Sequence, residues 1–498
     1  MPGTVGSGRR GARRLYVYTY GCQMNVYDSG MVGALLRETG WTETDDPGLA
    51  DLVFVNTCSV RESAVSRVRG NLTKLRALKL KNPAVLLAVG GCVAEQEGAR
   101  LADGIPWLDL IVGPGRYDEL PAAVESLGRG RGLIVLTGEP GTGRPTPEAT
   151  PETRPWPAGH DDARRKPPPQ RLEKTSAGGG DARAVAGDAK NPKDAGDAKT
   201  APASSFLSIM TGCDNYCAYC VVPFLRGPEK SRPAADILAE ARDLLARGAV
   251  EITLLGQNVN SYGRGGGGDF AALLEEVSAL PGLKRLRFTT SHPKDFPREL
   301  ALLFGKLPNL CEYLHLPVQS GSDRVLSAMG RRYDRARYLE IVSDLRSRVP
   351  GMSLSTDVIV GFPGETEAEF LETADLLETV GFDFIFSFKY SDRPMTRARL
   401  MEGKIPEEEK ARRLEHVQTL QKKITLARHQ ALVGRTLEVL VEGRGRKPGQ
   451  LTGRTRDMKI VNFPGPESLL GRLARATVVE AWPVSLLGTL AGDLPDGG

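Results

Sequence analysis

The 498-residue sequence has no uninterrupted apolar run approaching the roughly 18 residues that a bilayer-spanning helix needs, so a soluble protein with no membrane partner is expected. Cysteine is scarce. Seven in so long a chain cannot make a disulfide scaffold, and clustered thiols suit a reducing compartment where they bind metal, which points to the cytoplasm. The opening MPGTVGSGRRGARR carries four arginines and no acid, but it lacks the apolar stretch of a secretory signal, so residues 1–13 read as a flexible basic arm. A strong charge of one sign is also missing. The 66 basic and 61 acidic residues leave a net charge of +5, which by itself says little about nucleic acid. With 40% hydrophobic residues there is ample material for cores, and the length exceeds what one core supports, so several domains are expected.

Large aliphatic residues almost vanish between 137 and 204, where GEPGTGRPTPEATPETRPWP, KPPPQ and AGGGDARAVAGDAKNPKDAGDAK follow one another. Such a stretch cannot bury enough apolar surface to offset its ordering entropy and reads as a disordered linker. Before it, over 14–136, short apolar runs at 15–20, 52–56 and 84–89 alternate with helical patterns at 29–39, 62–79 and 95–101, the signature of βαβ units and an open parallel Rossmann-like sheet. After it, over 205–431, strands at 206–210, 251–255, 285–289, 311–316, 352–360 and 384–389 alternate with helices at 234–247, 270–280, 333–348 and 367–380. That alternation describes a (β/α)6 partial TIM barrel, whose ligand site lies at the strand C-terminal ends. A long charged helix is expected at 404–432. Five short β-like runs over 432–492 then read as a small antiparallel β-barrel, in which Arg435, Arg444, Arg446, Lys447, Arg454, Arg456, Lys459, Arg472 and Arg475 outnumber the acids and make an RNA grip plausible.

Two sets of three cysteines carry the chemistry. Cys213, Cys217 and Cys220 lie in GCDNYCAYC, just after the first strand of the central unit, where three thiolates can hold three irons of a 4Fe-4S cube and leave the fourth open. A zinc knuckle or a trio of buried thiols fits the bare spacing too. Cys22, Cys58 and Cys92 each fall just beyond the C-terminal end of an expected N-terminal strand, and in open parallel sheets those ends share one rim. Convergence on a second cluster accounts for this better than three unrelated core thiols. Cys311, outside both sets, reads as a core thiol, and His292 and His315 as structural. Arg226 and Arg232, past the cysteine loop, read equally as anion ligands or surface ion pairs.

With Tyr219 before the last cysteine, the loop completes C-x3-C-x-aromatic-C, which resembles the signature of radical S-adenosylmethionine (SAM) enzymes. YTYGCQMNVYDS, VNTCSVRESA, VGGCVAEQ, LLGQNVNSYG, LHLPVQSGSDRVLSAMGRRY and DVIVGFPGET together resemble the methylthiotransferases of that superfamily. The resemblance implies an auxiliary 4Fe-4S cluster on Cys22, Cys58 and Cys92 and a radical SAM cluster on Cys213, Cys217 and Cys220. It also implies Tyr219 near the adenine of SAM, cofactor contacts from Gln257, Ser320 and Asp357, and a C-terminal RNA-binding TRAM barrel. GCQMN is most similar to the branch that acts on tRNA carrying N6-isopentenyladenosine beside the anticodon. Sister branches act on threonylcarbamoyladenosine or on an aspartate of a ribosomal protein. The chemistry implied is hydrogen abstraction at the adenine C2, sulfur insertion and methyl transfer, with two SAM molecules per turnover and a flavodoxin- or ferredoxin-type reductant; the sulfur source is left open. A monomer is expected. The competing readings are the same chemistry on an aspartate of a small-subunit ribosomal protein, methyl transfer without sulfur insertion, and a non-catalytic iron-sulfur redox sensor that binds RNA. One departure is local: SDRPMTRA stands at 391–398 where the family generally has S-P-R-P-G-T-x-A.

Overall fold

The computed structural model describes residues 12–59, 62–128, 132–138, 202–264 and 268–492. The expected arm and linker lie outside these residues at 1–11 and 139–201, while Arg13 and Ser204, assigned to them from the sequence, open strands. The chain forms two compact units, one of Met1–Tyr18, Val32–Thr57 and Arg69–Asp188, the other of Thr19–Met31, Cys58–Val68 and Ala189–Gly498.

The first unit is organised by a six-stranded sheet of β1 (Arg13–Thr19), β2 (Trp41–Glu43), β3 (Leu52–Thr57), β4 (Leu86–Gly91), β5 (Leu110–Val112) and β6 (Ile134–Leu136), in the order β2-β1-β3-β4-β5-β6. β1 pairs with β2 in parallel, and so do β3 with β4, β4 with β5 and β5 with β6. All of β3 is buried, as a strand covered on both faces must be. Helices α1 (Gln23–Glu38), α2 (Glu62–Lys81), α3 (Cys92–Glu97) and α4 (Leu120–Leu127) complete the alternation. Sequence periodicity misses β2, β5 and β6, which have three residues each, and places α3 too late, since its helical turn begins at Cys92 itself.

In the second unit β7 (Ser204–Ser208) leads into two short strands, β8 (Met210–Thr211) and β9 (Lys230–Ser231), and then β10 (Glu251–Leu255), β11 (Arg285–Thr289), β12 (Tyr313–His315), β13 (Ser353–Val360) and β14 (Phe384–Lys389). Parallel sheets β7-β10-β11 and β12-β13-β14 are joined where Leu286 bridges Leu310 in parallel and the Cys311 N–H donates to the Leu286 carbonyl at 3.0 Å. The result is a six-stranded partial TIM barrel. Around it lie α5 (Val222–Leu225), α6 (Ala234–Ala246), α7 (Phe270–Ser278), α8 (Arg298–Lys306), α9 (Asp323–Ala328), α10 (Arg335–Arg348), α11 (Glu367–Val380) and α12 (Glu407–Gln430). Thr366 and Glu369 close a reciprocal capping box at the start of α11, and Gly381 ends it in the left-handed conformation. Ile252, Leu254, Leu286, Leu314 and Phe382 are fully buried in the core.

The chain ends in a closed barrel of β15 (Thr436–Arg444), β16 (Gln450–Thr455), β17 (Ile460–Pro464), β18 (Leu473–Ala481) and β19 (Leu486–Leu490), ordered β15-β16-β17-β19-β18. It is not wholly antiparallel as expected: β17 and β19 run in parallel, because a ring of five strands cannot alternate direction at every step.

A buried ionic network fixes this small barrel to the N-terminal ends of the larger barrel's strands. Arg287 donates to Glu251 at 2.9 Å and to the carbonyls of Thr455 and Arg456, while Arg285, fully buried, reaches Glu438 at 2.9 Å and the Arg454 carbonyl. Arg456 pairs with Glu312 at 2.8 Å, and Lys459 with Asp383 at 3.1 Å. Burial pushes the Glu251 carboxyl up, but Arg287, Arg454, Ser204 and Arg285 more than offset it, so it stays below its usual range. Arg454, Arg456 and Lys459 are therefore used within the fold; Arg435, Arg444, Arg446, Lys447, Arg472 and Arg475 remain exposed. Replacing Arg287 by Met strands Glu251 and is expected to cost about 3 kcal/mol in denaturant unfolding; a loss below about 1 kcal/mol would mean that Arg285 alone neutralises it.

Candidate functional site

β8 and β9 pair antiparallel, Met210 with Ser231 and Thr211 with Lys230, and so pinch off the loop 212–229 at the C-terminal end of β7. Gly212 has φ 79°, and a Cβ there would lie 1.9 Å from the Pro228 carbonyl oxygen, so only glycine allows the neck to close. The middle of the loop is held on both sides: Ala218 N–H donates to the Met329 carbonyl and Ala398 N–H donates to the Ala218 carbonyl, each at 2.8 Å. Cys213 and Cys217 are buried and Cys220 half-buried, and all seven cysteines are free thiols. Burial pushes the Cys213 thiol up, and burial beside Cys217 takes Cys220 to about 12. These sulfurs keep their protons unless a metal displaces them. Among the described residues no three His, Cys, Asp or Glu side chains close on a single ion. A cube does not ask for that, since each thiolate binds its own iron.

Polar groups with no partner among the described residues gather on the same rim. Gln257 Oε1, Asn258 Oδ1 and both amide atoms of Asn260, in the loop after β10, are buried without a hydrogen bond, as are Ser291 Oγ and His292 Nε2 after β11. His292 Nδ1 accepts from the Lys294 N–H at 3.2 Å, and burial, aided by Arg331 and Lys294, holds the ring's pKa down at about 2. The ring is thus neutral with Nε2–H undirected, unlike the satisfied histidine the sequence suggested. Buried polar atoms are nearly always paired, and a set of donors and acceptors beside three thiols fits a polar, zwitterionic cofactor such as SAM.

Other expected residues are placed differently. Ser320 is fully buried, its hydroxyl 3.3 Å from that of Thr373 and accepting from the Ser322 N–H, so it braces its own loop. Asp357 lies on β13 with an oxygen 3.6 Å from His315 Nε2, and His315 is further tied to Ser355 at 2.9 Å. Tyr219 packs against the apolar cluster of Ala218, Met329, Phe362 and Tyr390, with its hydroxyl 3.4 Å from Arg331 Nη1. Arg331 went unnoticed in the sequence although it stands in the quoted GRRY; its Nη1 also donates to Cys217 Sγ at 3.4 Å. Cys311 is a core thiol pushed up to about 11 by burial, and it precedes β12 at the opposite ends of the strands from loop 212–229.

Of the other trio, Cys58 directly follows Thr57 and Cys92 directly follows Gly91, and Thr57 and Gly91 are register partners in β3 and β4. Cys22 opens the turn into α1, its carbonyl accepting from Asn25 and Val26. A Cβ on Gly21, at φ 145°, would lie 2.6 Å from Cys58 Cβ, so glycine lets these two segments meet. A hydrogen bond with Cys58, with help from Arg226, lowers the thiol of the exposed Cys22 to about 6. Arg226 is not a surface pair: it binds Asp28 at 2.7 Å with the two side chains only 7% and 6% exposed. Arg232 is likewise engaged, with Glu240 at 2.7 Å.

A model of the radical SAM superfamily matches residues 207–377, one described as uncharacterized protein family UPF0004 matches 14–113, and one of the TRAM domain matches 430–491. The fold is also that of the radical S-adenosylmethionine methyltransferase TsrM from Kitasatospora setae, at TM-score 0.52 and 17% identity over 89% of this chain and 78% of that one. The tRNA-2-methylthio-N(6)-dimethylallyladenosine synthase of Geobacter metallireducens is 44% identical over 97% of this chain and 99% of its own length. Those of Nitratidesulfovibrio vulgaris and Moorella thermoacetica are 45% and 41% identical over 96% and 98% of this chain, each over 99% of its own length. The chain belongs to this synthase family, a radical SAM family of transferases whose cofactors are 4Fe-4S clusters and SAM.

The departure at 391–398 has a local cost. Met395, where the family motif has glycine, takes φ 66°, a conformation that costs a side-chain-bearing residue about 1–2 kcal/mol. The turn nonetheless delivers Ala398 to Ala218. Because Met395 is 48% exposed, Met395→Gly sacrifices little packing and is expected to stabilise the protein by about 1 kcal/mol in thermal unfolding; destabilisation would show that the methionine side chain is needed there.

Proposed function

We propose that this protein converts N6-isopentenyladenosine beside the tRNA anticodon to its 2-methylthio derivative, with Cys213, Cys217 and Cys220 holding the radical SAM cluster and Cys22, Cys58 and Cys92 the auxiliary one. The observation that carries the reading is the pinned loop 212–229, which offers three thiols on the strand C-terminal rim while the seventh cysteine, Cys311, lies at the other rim and cannot complete a set of four. The adenine C2–H is too strong and too weakly acidic for a side-chain base. A cluster held by Cys213, Cys217 and Cys220 would, together with SAM, supply the radical chemistry that such a bond requires.

What the chain contributes is grip and placement. Gln257, Asn260, Ser291 and His292 bring unpaired polar atoms to the cofactor side of the rim. Ser320, through Thr373, holds the loop after β12 in place, and Asp357 lies 3.6 Å from His315, which Ser355 holds. Tyr219 seats the cysteine loop on its apolar cluster. Exposed Arg435, Arg444, Arg446, Lys447, Arg472 and Arg475 on the small barrel meet tRNA phosphates, so affinity falls steeply with salt. No described helix is long and apolar enough to cross a membrane. A cytoplasmic monomer reduced by a flavodoxin- or ferredoxin-type protein completes the proposal.

Anaerobically reconstituted protein is expected to hold about eight irons, and Cys22→Ala about four. The variant should still release 5′-deoxyadenosine from SAM with dithionite yet give no 2-methylthio product in tRNA. A Cys22→Ala variant that still modifies tRNA fully, with a C2-methyl product that contains no sulfur, would mean methyl transfer without sulfur insertion, and a wild type that releases no 5′-deoxyadenosine would leave only the redox-sensor reading.

A further inference from the structure

Arg331 is 4% exposed and always charged. Its guanidinium donates to the Tyr333 hydroxyl at 2.9 Å, the Pro317 carbonyl at 2.7 Å, and Cys217 Sγ and the Tyr219 hydroxyl at 3.4 Å. None of these acceptors is a carboxylate, and among the described residues no carboxylate pairs with Arg331. The other deeply buried arginines differ. Arg285, Arg287 and Arg413 face Glu438, Glu251 and Glu365 respectively. A buried cation without a counter-charge is severely disfavoured, and the only ionisable sulfur within its hydrogen-bond reach is that of a proposed cluster ligand.

We propose that Arg331 is the counter-charge of the cluster on Cys213, Cys217 and Cys220: it hydrogen-bonds the Cys217 thiolate and makes the cluster easier to reduce. The inference rests on the reading of those three cysteines as cluster ligands. The step is transfer of one electron from a low-potential reductant, which is oxidised, to a centre already made negative by its thiolates; no bond forms or breaks. A fixed positive charge and an N–H···S hydrogen bond favour the more negative, reduced state, and so raise the potential. Arg331 is thus a positioning and tuning residue. It is held in its place by Tyr333, whose hydroxyl is anchored to the Val318 carbonyl at 2.7 Å.

The test uses the full chain with Cys22, Cys58 and Cys92 replaced by Ala, so that only one cluster is read, reconstituted anaerobically and titrated with dithionite under electron paramagnetic resonance. Arg331→Met is expected to keep about four irons and to reduce at least tenfold less favourably, about 59 mV lower for one electron, while Arg331→Lys retains most of the parent potential. Loss of iron in the Met variant alone, with Lys holding both iron and potential, also supports the need for the charge. A Met variant with full iron and an equilibrium within threefold of the parent overturns the role of Arg331 alone, as does loss of iron from Met and Lys alike. A folded parent that binds no iron overturns the cluster assignment, and the inference falls with it.

Discussion

The proposed cluster asks three sulfurs within eight residues to reach one metal centre, so the backbone carrying them cannot be free to choose its own shape. The fold meets this by closing loop 212–229 at its neck with the β8–β9 pairing and by bonding Ala218 to Met329 on one side and Ala398 on the other. Those partners arrive from the segments after β12 and β14, so the presentation of the cysteines depends on the whole half-barrel being correctly wound. Local sequence alone would leave the loop open.

The two rims of that barrel are built on opposite terms. At the N-terminal ends of the strands, buried Arg285, Arg287, Glu251 and Asp383 are each compensated by an ion pair or backbone carbonyl, and the small barrel supplies many of the partners. At the C-terminal ends, among the described residues, polar atoms of Gln257, Asn260, Ser291 and His292 are buried without partners and no acid pairs with Arg331. Ser353 Oγ and Gln421 Oε1 at the N-terminal ends also lack partners, so the difference between the rims lies in the charges: compensated at one end, and at the other left in Arg331 where a charged, polar cofactor belongs. The same division sorts the arginines and lysines of the small barrel: those facing the larger barrel are structural, and those facing solvent carry the proposed RNA contact, Arg444 from a pair with Glu467.

Much of this was legible in the residues themselves. Alternating apolar runs and amphipathic stretches give the parallel sheet and the partial barrel, and GCDNYCAYC places three cysteines after the first core strand. Three-residue strands such as β2 and β6 left no periodic trace. The roles of Arg331 and Arg226 were hidden for another reason: Arg331 lies 114 residues from Cys217 and Arg226 lies 198 from Asp28, so neither pairing has a local signature. Basicity over 435–475 was visible, but which charges face inward depends on the acids at 251, 312, 383 and 438, far away in sequence. Ser320 was expected among the cofactor contacts; its hydroxyl lies 3.3 Å from that of Thr373 on α11, a pairing far off in sequence.

The central claim is that hydrogen leaves the adenine C2 through a radical generated at the cysteine loop. The most direct measurement is single turnover under anaerobic conditions with SAM, a reductant and tRNA whose isopentenyladenosine carries deuterium at C2. Mass spectrometry of the 5′-deoxyadenosine released should find deuterium in its methyl group. Methylthiolated tRNA formed alongside unlabelled 5′-deoxyadenosine would contradict the account.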